Sequence, residues 1–254
     1  MSKDMDSKEL IQHCEEAAAS IQKMLNDFSQ TGERKFTKRA MLIAYWIKTY
    51  VRYLRQEDAF APESVFRLKR GSIIRVEFGY KVGRELGGRH YAVVLDEDNA
   101  LHRNTVTVVP LGSLKGTSKP DRYTAVLEAG IYEPVKDKIL ALCQAAEKAI
   151  DEAMAKDPEI NSADAKEKAI LKAVQRQHIE DAKKLMAQAR DWVSEIEHMK
   201  PGSVARVDQI TTISKMRISQ PLQKTHPLYG VRLTPADMDK IDQKLQKLYF
   251  ANKA

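Results

Sequence analysis

The sequence predicts an α+β protein in which a small, strongly bent antiparallel sheet or barrel carries several helices. Short runs rich in β-branched and aromatic residues, separated by glycine, asparagine and proline, extend from Gly71 to Leu127. Helical periodicity dominates the residues before the sheet and returns over 135–199 and near the C-terminus. We therefore expect a helical extension over 1–67 and a sheet domain over 68–254 that a helical hairpin interrupts at 135–199.

The N-terminal extension is predicted to contain two amphipathic helices, over 7–29 and 37–56. Seven basic residues and no acid lie between Arg34 and Arg55, interleaved with aromatic residues. The aromatic residues that follow Trp46 recur at helical spacing, which favours a helix that packs on a core and has a basic outer face. A helix that also contacts RNA and a helix on a membrane surface are the alternatives.

The sheet is predicted from apolar runs that follow Gly71. These runs are Ile73–Phe78, Ala92–Leu95, Val106–Leu111 and Tyr123–Leu127, and a returning strand is expected over Ser203–Thr212. Within the hairpin, Pro158 is expected to end one helix and Ser162 to cap the next. The last helix is expected to have Thr234 as its N-cap and Pro235 at its first position.

Composition limits the classes of partner and site. A net charge of +7 favours a polyanionic partner. Cys14 and Cys143 lie far from each other and from any histidine pair, so neither a disulfide nor a metal site is expected, and no cofactor is predicted. No apolar run approaches the roughly 18 residues of a membrane span, and the first residues do not resemble a signal peptide. We therefore expect a cytoplasmic protein without a membrane partner.

Two segments far apart in the chain carry the strongest functional signal. The first, GSIIRVEFGYKVGRELGGRHYAVVL, extends from Gly71 to Leu95, and the second, ARVDQITTISKMRI, extends from Ala205 to Ile218. A G-x-E-x-G-G loop, the strand HYAVVL, the strand and turn VTVVPLGS and the segment RVDQITTISKMRI follow one another in order. In this order they resemble the MazF/PemK family of bacterial toxins, over about 68–131 and 200–250. The resemblance implies a small SH3-like barrel of the MazF/PemK/CcdB type.

The resemblance also implies a function, the toxin component of a toxin–antitoxin system. Such a toxin is an endoribonuclease that cleaves single-stranded RNA without a metal ion, by attack of the ribose 2′-hydroxyl on the adjacent phosphate. A homodimer and a cognate antitoxin are the implied protein partners. A non-catalytic module that binds nucleic acid or protein on the same fold is the alternative, because Gly112 and His90 depart from the family pattern.

Five residues are implied as catalytic. Arg206 and Asp208 match the family's acid and base, and residues two apart on a strand point to one face, so both can address one phosphodiester. A surface ion pair is the alternative for them. Arg89 or His90 is expected to supply charge or a proton, although only one of two consecutive strand residues can face the site. Ser113 is expected to hold a phosphate oxygen, and a turn residue is its alternative.

Further contacts with RNA are implied at six positions: Arg84, Glu85, Gln209, Ser214, Lys215 and Arg217. Glu85 is alternatively expected to organise its loop, and the last three residues to form a solvated turn. The N-terminal helices and the hairpin lie outside the resemblance. We expect them to add packing and a dimer surface, with masking of the RNA groove as the competing hypothesis.

Overall fold

A computed structural model describes most of the 254-residue chain. The described ranges are 6–113, 121–128, 130–162, 164–197 and 203–250. The chain divides into two compact units, which are Met1–Ala61 with Phe78–Gly88, and Pro62–Glu77 with Arg89–Ala254. The first unit therefore contains the G-x-E-x-G-G loop, residues 83–88, which we call the glycine loop, in addition to the N-terminal helices.

Two helices, α1 (Ser7–Gln30) and α2 (Arg34–Gln56), form most of the first unit. Both predicted helices are confirmed, and the second begins three residues earlier than expected. Phe28 and Phe36 pack where the two helices meet, with ring centroids 5.5 Å apart. In the described part of α1 no residue is buried, whereas α2 buries Ala40 and Ile43. The second helix is thus the one that anchors this unit.

Within the described ranges, nine strands form the antiparallel sheets of the second unit. They are β1 (Leu68–Lys69), β2 (Ile73–Glu77), β3 (Arg89–Val94), β4 (Asp98–Asn99), β5 (Thr105–Ser113), β6 (Thr124–Leu127), β7 (Ser203–Arg206), β8 (Thr211–Ser214) and β9 (Ile218–Gln220). The main sheet has the order β6-β7-β5-β3-β2-β9, and β8 also pairs with β5. The predicted α+β class and the antiparallel sheet are confirmed. Among the described residues, β6 and β9 remain edge strands, so their pairing does not close a barrel.

Strands β7 and β8 lie one after the other along the same side of β5. Leu111 is opposite Ala205, and Val108 is opposite Thr211. Three steps along β5 therefore correspond to six steps along the returning segment, which holds three extra residues. These form a 3-10 turn over Val207–Gln209. The prediction of one continuous strand over 203–212 was wrong, because this bulge interrupts it.

The predicted hairpin contains two long helices with a short one between them: α3 (Tyr132–Met154), α4 (Asp157–Ser162) and α5 (Ala165–Glu197). Two details differ from the sequence prediction. Pro158 lies at the start of α4, so it does not end the first helix. Asp164 caps α5 in place of Ser162, because its carboxylate accepts hydrogen bonds from the backbone N–H groups of Lys166 and Glu167, both at 2.9 Å.

The main core lies between one face of the sheet and the helices. Sheet residues such as Val93 and Leu111 share a buried cluster with Ile139 of α3 and Ala189 of α5. The parts of α3 and α5 nearest the sheet, which we call the roots of the hairpin, therefore belong to the core. No helix within the described ranges combines the length and the apolar character that a membrane span requires.

The last helix, α6 (Pro235–Tyr249), completes this core with Met238 and Ile241. The Thr234 side chain accepts a hydrogen bond from the backbone N–H of Asp237 at 3.2 Å, and Pro235 follows at the first helical position. The predicted cap is thus confirmed.

Candidate functional site

The bulge between β7 and β8 places an arginine beside a carboxylate. Arg206 is the last residue of β7, and Asp208 lies in the 3-10 turn that follows. The Nε atom of Arg206 is 3.6 Å from Oδ1 of Asp208, and the side chains are 39% and 26% exposed. Gln209 donates a hydrogen bond from Nε2 to Oδ2 of Asp208 at 3.2 Å. The two predicted residues do meet, but the turn brings them together and not strand alternation.

Backbone contacts on both sides hold this bulge in place. Val207 is fully buried, and its N–H donates to the carbonyl oxygen of Tyr123 at 3.0 Å. The hydroxyl group of Tyr249, at the end of α6, donates to the carbonyl oxygen of Val207 at 3.1 Å. A site on such an anchored backbone can keep its side chains in one geometry.

The facing atoms of the ion pair have unused hydrogen-bonding capacity. Nε of Arg206 and Oδ1 of Asp208 are buried at the level of the atom, and neither makes a hydrogen bond within the described residues. Their separation is longer than a hydrogen bond permits. A donor and an acceptor that face each other at 3.6 Å with no accessible surface leave no space for another atom between them, so the exposed part of each side chain lies on its other atoms. The exposed atoms offer a guanidinium group to a phosphate oxygen and a carboxylate to a hydroxyl group.

Ser113 does not lie beside Arg206. Ser113 is opposite Ser203, and Gly112 is opposite Val204. Because side chains alternate along β7, Arg206 shares a face with Val204, whereas Ser113 belongs to the other face. Arg206 is also three residues beyond Ser203, about 10 Å along the strand. The register therefore separates the expected phosphate contact of Ser113 from the ion pair.

Arg89 and His90 are the first two residues of β3, and their partners on β2 differ. Arg89 is opposite Glu77, with Nε 3.6 Å from Oε2, and its side chain is mostly exposed. His90 is opposite Val76, a fully buried residue. The charge of Arg89 is therefore directed toward a carboxylate of its own sheet.

Alternation along three strands relates these residues to the ion pair. Ala92 of β3 is opposite Pro110 of β5, so His90 belongs to the same face as Gly112. That face continues through β7 to Arg206. Of the two consecutive candidates, His90 thus shares the face of the ion pair, and Arg89 belongs to the opposite face.

The glycine loop, with Arg84 and Glu85 exposed on it, belongs to the first compact unit. Two backbone hydrogen bonds close its base: Phe78 N–H to the Gly88 carbonyl at 2.8 Å, and Gly88 N–H to the Gly79 carbonyl at 2.7 Å. The loop therefore has a defined base from which these two side chains extend.

Helix α2 packs against the base of this loop. A Cβ atom at Gly79 would lie 2.4 Å from Cζ2 of Trp46, and φ of Gly79 is +74°. Nε of Arg39 donates a hydrogen bond to the hydroxyl group of Tyr80 at 2.7 Å. Sequence reasoning assigned no role in the loop to these residues. The signal that could have found them is a tryptophan in the basic helix together with a glycine directly after a buried strand.

The expected RNA contacts after β8 have structural roles. Lys215 is 0% exposed, and its ammonium group donates to the carbonyl oxygens of Ala100 and Leu101 at 3.0 and 3.1 Å. Burial lowers the pKa of this ammonium group. This position does not fit contact with an RNA backbone, because the cation is enclosed and already bound by carbonyl groups.

Ser214 and Arg217 flank that lysine and support the same turn. Oγ of Ser214 accepts a hydrogen bond from the backbone N–H of Met216 at 3.3 Å. Nε of Arg217 donates to the carbonyl oxygen of Glu77 at 2.9 Å. Both side chains are half-buried, so each combines a turn contact with some access to solvent. Within the described ranges, no group of three or more His, Cys, Asp or Glu side chains is placed to hold a metal ion.

Comparison with known proteins identifies one related family. Residues 69–145 match the family model of PemK-like, MazF-like toxins of type II toxin–antitoxin systems. The match confirms the resemblance over strands β2 to β6. It also covers the start of α3, which the predicted resemblance left out, and it does not extend to Arg206 and Asp208. No curated protein matches the chain. The chain is therefore similar to these toxins over less than a third of its length.

Proposed function

We propose that this protein, which is similar to PemK-like, MazF-like toxins over 69–145, is the toxin of a toxin–antitoxin system and an endoribonuclease for single-stranded RNA. One observation carries the proposal: the anchored bulge holds Arg206 beside Asp208, with Nε and Oδ1 3.6 Å apart and both side chains partly exposed. We further assign the sheet of the 68–254 domain, which the 135–199 hairpin interrupts, to the SH3-like barrel class.

Asp208 is assigned the role of the general base. Its carboxylate takes the proton of a ribose 2′-hydroxyl, and the 2′-oxygen then forms a bond to the adjacent phosphorus. The bond from phosphorus to the 5′-oxygen breaks, so the products are a 2′,3′-cyclic phosphate and a 5′-hydroxyl group. Arg206 stabilises the negative charge that develops on the phosphorane oxygens. His90 is assigned to protonate the leaving 5′-oxygen, because it shares the face of Arg206 and carries a titratable ring.

The first prediction concerns the general base, Asp208. Asp208→Asn keeps the shape of the side chain but removes the base, so we expect cleavage about 100- to 10,000-fold slower than that of the native protein. The measurement uses a mixed single-stranded RNA pool in the presence of a chelator, with sequencing of the new 5′ ends. The same RNA with 2′-O-methyl groups should remain intact, because it lacks the attacking hydroxyl.

A matched control separates chemistry from a general loss of charge. Glu152→Gln also neutralises one carboxylate, which belongs to an exposed ion pair with Lys148 on the hairpin, and it should leave the rate unchanged. Intact RNA with the native protein, or equal rates for native protein and Asp208→Asn, would overturn the assignment.

A homodimer and an antitoxin are the protein partners that accompany this proposal. The similarity to type II toxins supports both, and two measurements test them. Sedimentation of the purified chain gives the number of copies. Co-expression with the neighbouring open reading frames, scored by rescue of cell growth, tests for an antitoxin.

A non-catalytic RNA-binding or protein-binding module is the second candidate function. The separation of Ser113 from Arg206 favours it, since fewer groups then converge on one phosphate. Binding of the RNA pool without new 5′ ends would identify this candidate.

A further inference from the structure

Helix α2 presents a line of exposed cations to solvent. Its members recur at alternating intervals of four and three residues and so lie along one face of the helix. We call this face the basic stripe, and it consists of Arg34, Lys38, Met41, Tyr45, Lys48, Arg52 and Arg55. All seven are exposed, and Tyr45, near the middle, is 64% exposed. The buried residues Ala40 and Ile43 belong to the opposite side, which packs in the first compact unit.

The stripe carries charge that the protein itself does not neutralise. No acid lies between Arg34 and Arg55 in the sequence. Among the residues that the structure describes, none of the five cations of the stripe takes part in an ion pair. Like charges at positions i and i+4, such as Lys48 and Arg52, destabilise a helix. A stripe that weakens the isolated helix is therefore better explained by an anionic partner than by stability.

We propose that the basic stripe binds single-stranded RNA, with phosphates on its cations and a base stacked on Tyr45. The stripe is about 32 Å long, since each helical residue adds 1.5 Å. A row of cations with an exposed aromatic ring between them is the combination that binds single strands without reading their sequence. The inference rests on the proposed function only in taking RNA as the ligand. The stripe belongs to the first compact unit, whereas the ion pair belongs to the second.

Two other anionic or apolar partners fit the stripe less well. A helix that lies on a membrane places apolar residues along the middle of its exposed face and cations at the sides. Here the cations occupy the middle line, and only Met41 and Tyr45 interrupt it. A partner helix on this face would need apolar anchors repeated over several turns, whereas Met41 and Tyr45 lie within one turn. The other exposed apolar residues of α2 lie off the stripe: Leu42, Tyr50, Val51 and Leu54. Single-stranded RNA is thus the ligand that the pattern favours.

The experiment measures binding of a fluorescent single-stranded RNA whose 2′-hydroxyl groups are all methylated, so that cleavage by 2′-hydroxyl attack cannot occur. The full-length native protein is compared with two triple variants that each lose three positive charges. The stripe variant carries Lys38→Gln, Lys48→Gln and Arg52→Gln, and the control carries Lys148→Gln, Lys172→Gln and Lys183→Gln on the hairpin. Circular dichroism checks that both variants keep the native helix content.

We expect the stripe variant to bind at least about tenfold more weakly, and its plot of log affinity against log salt to be shallower by about 2. Tyr45→Ala should weaken binding by roughly tenfold without changing that slope. The hairpin control should behave like the native protein. Equal affinity and slope for the stripe variant and the control would overturn the inference. The same three proteins are also tested for binding to anionic lipid vesicles. A stripe variant that loses binding to the vesicles but keeps its affinity for RNA would overturn the inference as well.

The result is independent of the cleavage site. Because the methylated probe is not cut, an inactive protein that binds through the stripe would refute the proposed nuclease and still support this inference. A protein that cuts RNA but binds equally with and without the stripe would do the reverse.

Discussion

At the scale of the residue, Lys215 shows how a cation can be structural. Its four-carbon side chain is buried, and its ammonium group binds two carbonyl oxygens in the segment between β4 and β5. The backbone N–H of the same residue donates to the carbonyl of Asn104 at 2.8 Å. Lys215 thus ties the turn after β8 to the connection before β5 through three hydrogen bonds.

Replacing this lysine should affect stability and its pH dependence. Lys215→Met removes the donor to both carbonyl groups, so we expect the free energy of unfolding to fall by about 1–3 kcal/mol. Burial lowers the pKa of Lys215 below its ordinary value of 10.5. Between the lowered pKa and 10.5 the unfolded chain binds more protons than the folded chain, so this lysine makes stability rise with pH there. Denaturant titrations over the alkaline range should show that contribution in the native protein and not in Lys215→Met.

The matched control for that experiment is Lys183→Met, on the exposed side of the hairpin. It removes the same charge without removing a buried hydrogen bond. An equal loss of stability in the two variants would contradict the structural role of Lys215.

At the scale of the element, the glycine loop depends on helix α2. Gly79 has φ +74° and lies directly under the ring of Trp46, while a Cβ at Gly87 would lie 2.6 Å from the Gly79 carbonyl oxygen. Two glycines of this loop segment therefore permit close packing and not merely a turn. The exposed side chains of Arg84 and Glu85 extend from a loop whose base the helix holds.

Substitution of loop glycines should separate packing from backbone strain. Gly79→Ala and Gly83→Ala both place a side chain at positive φ, but only Gly79→Ala meets a neighbour, since nothing lies within 4 Å of a Cβ at Gly83. We expect Gly83→Ala to cost about 1–2 kcal/mol of unfolding free energy and Gly79→Ala about 1–3 kcal/mol more. Chemical denaturation of the full chain measures both. Adding Trp46→Ala to Gly79→Ala should recover part of the extra loss, and equal costs for the two glycines would contradict the packing argument.

At the scale of the whole molecule, the part of the helical hairpin nearest the sheet shares the core of the sheet domain. Ile139 and Ala189 are buried with sheet residues, and Trp192 packs against the same cluster. Further along the hairpin, Ala146 of α3 and Ala182 of α5 are buried and line one pocket between the two helices. The roots and the outer part of the hairpin therefore have different tasks.

Two deletions should distinguish these tasks. Removing 136–198 takes Ile139 from the core, a loss of about 2–5 kcal/mol for that side chain alone, so we expect this variant not to fold. Removing only 148–183, with a short glycine-serine turn in its place, keeps the roots and should leave the thermal transition and RNA cleavage close to native. Faster cleavage by the shorter deletion would favour masking of the RNA groove. Unfolding of both variants would contradict the division into roots and outer part.

Local features of the structure could be predicted because their causes lie within a few residues. The N-cap of Thr234, the helices on both sides of Gly32 and the runs that form β2, β3 and β5 each follow from neighbouring residues. The cap of α5 was predicted two residues too early, because α4 includes Ser162 and leaves Asp164 to begin the next helix. Chain order and motif spacing also indicated a resemblance to PemK-like, MazF-like toxins, which the family match confirms over 69–131.

The sequence by itself determined the periodicity of the helices, the sites of the turns and the residue types available for chemistry. Only the tertiary structure decided which of those residues meet, because strand register and burial depend on contacts between distant segments. The three extra residues opposite β5 bring Arg206 to Asp208, and alternation across β3, β5 and β7 relates His90 to them while separating Ser113. Neither effect is visible in a window of neighbouring residues, since each one arises from pairing between strands that lie far apart in the chain.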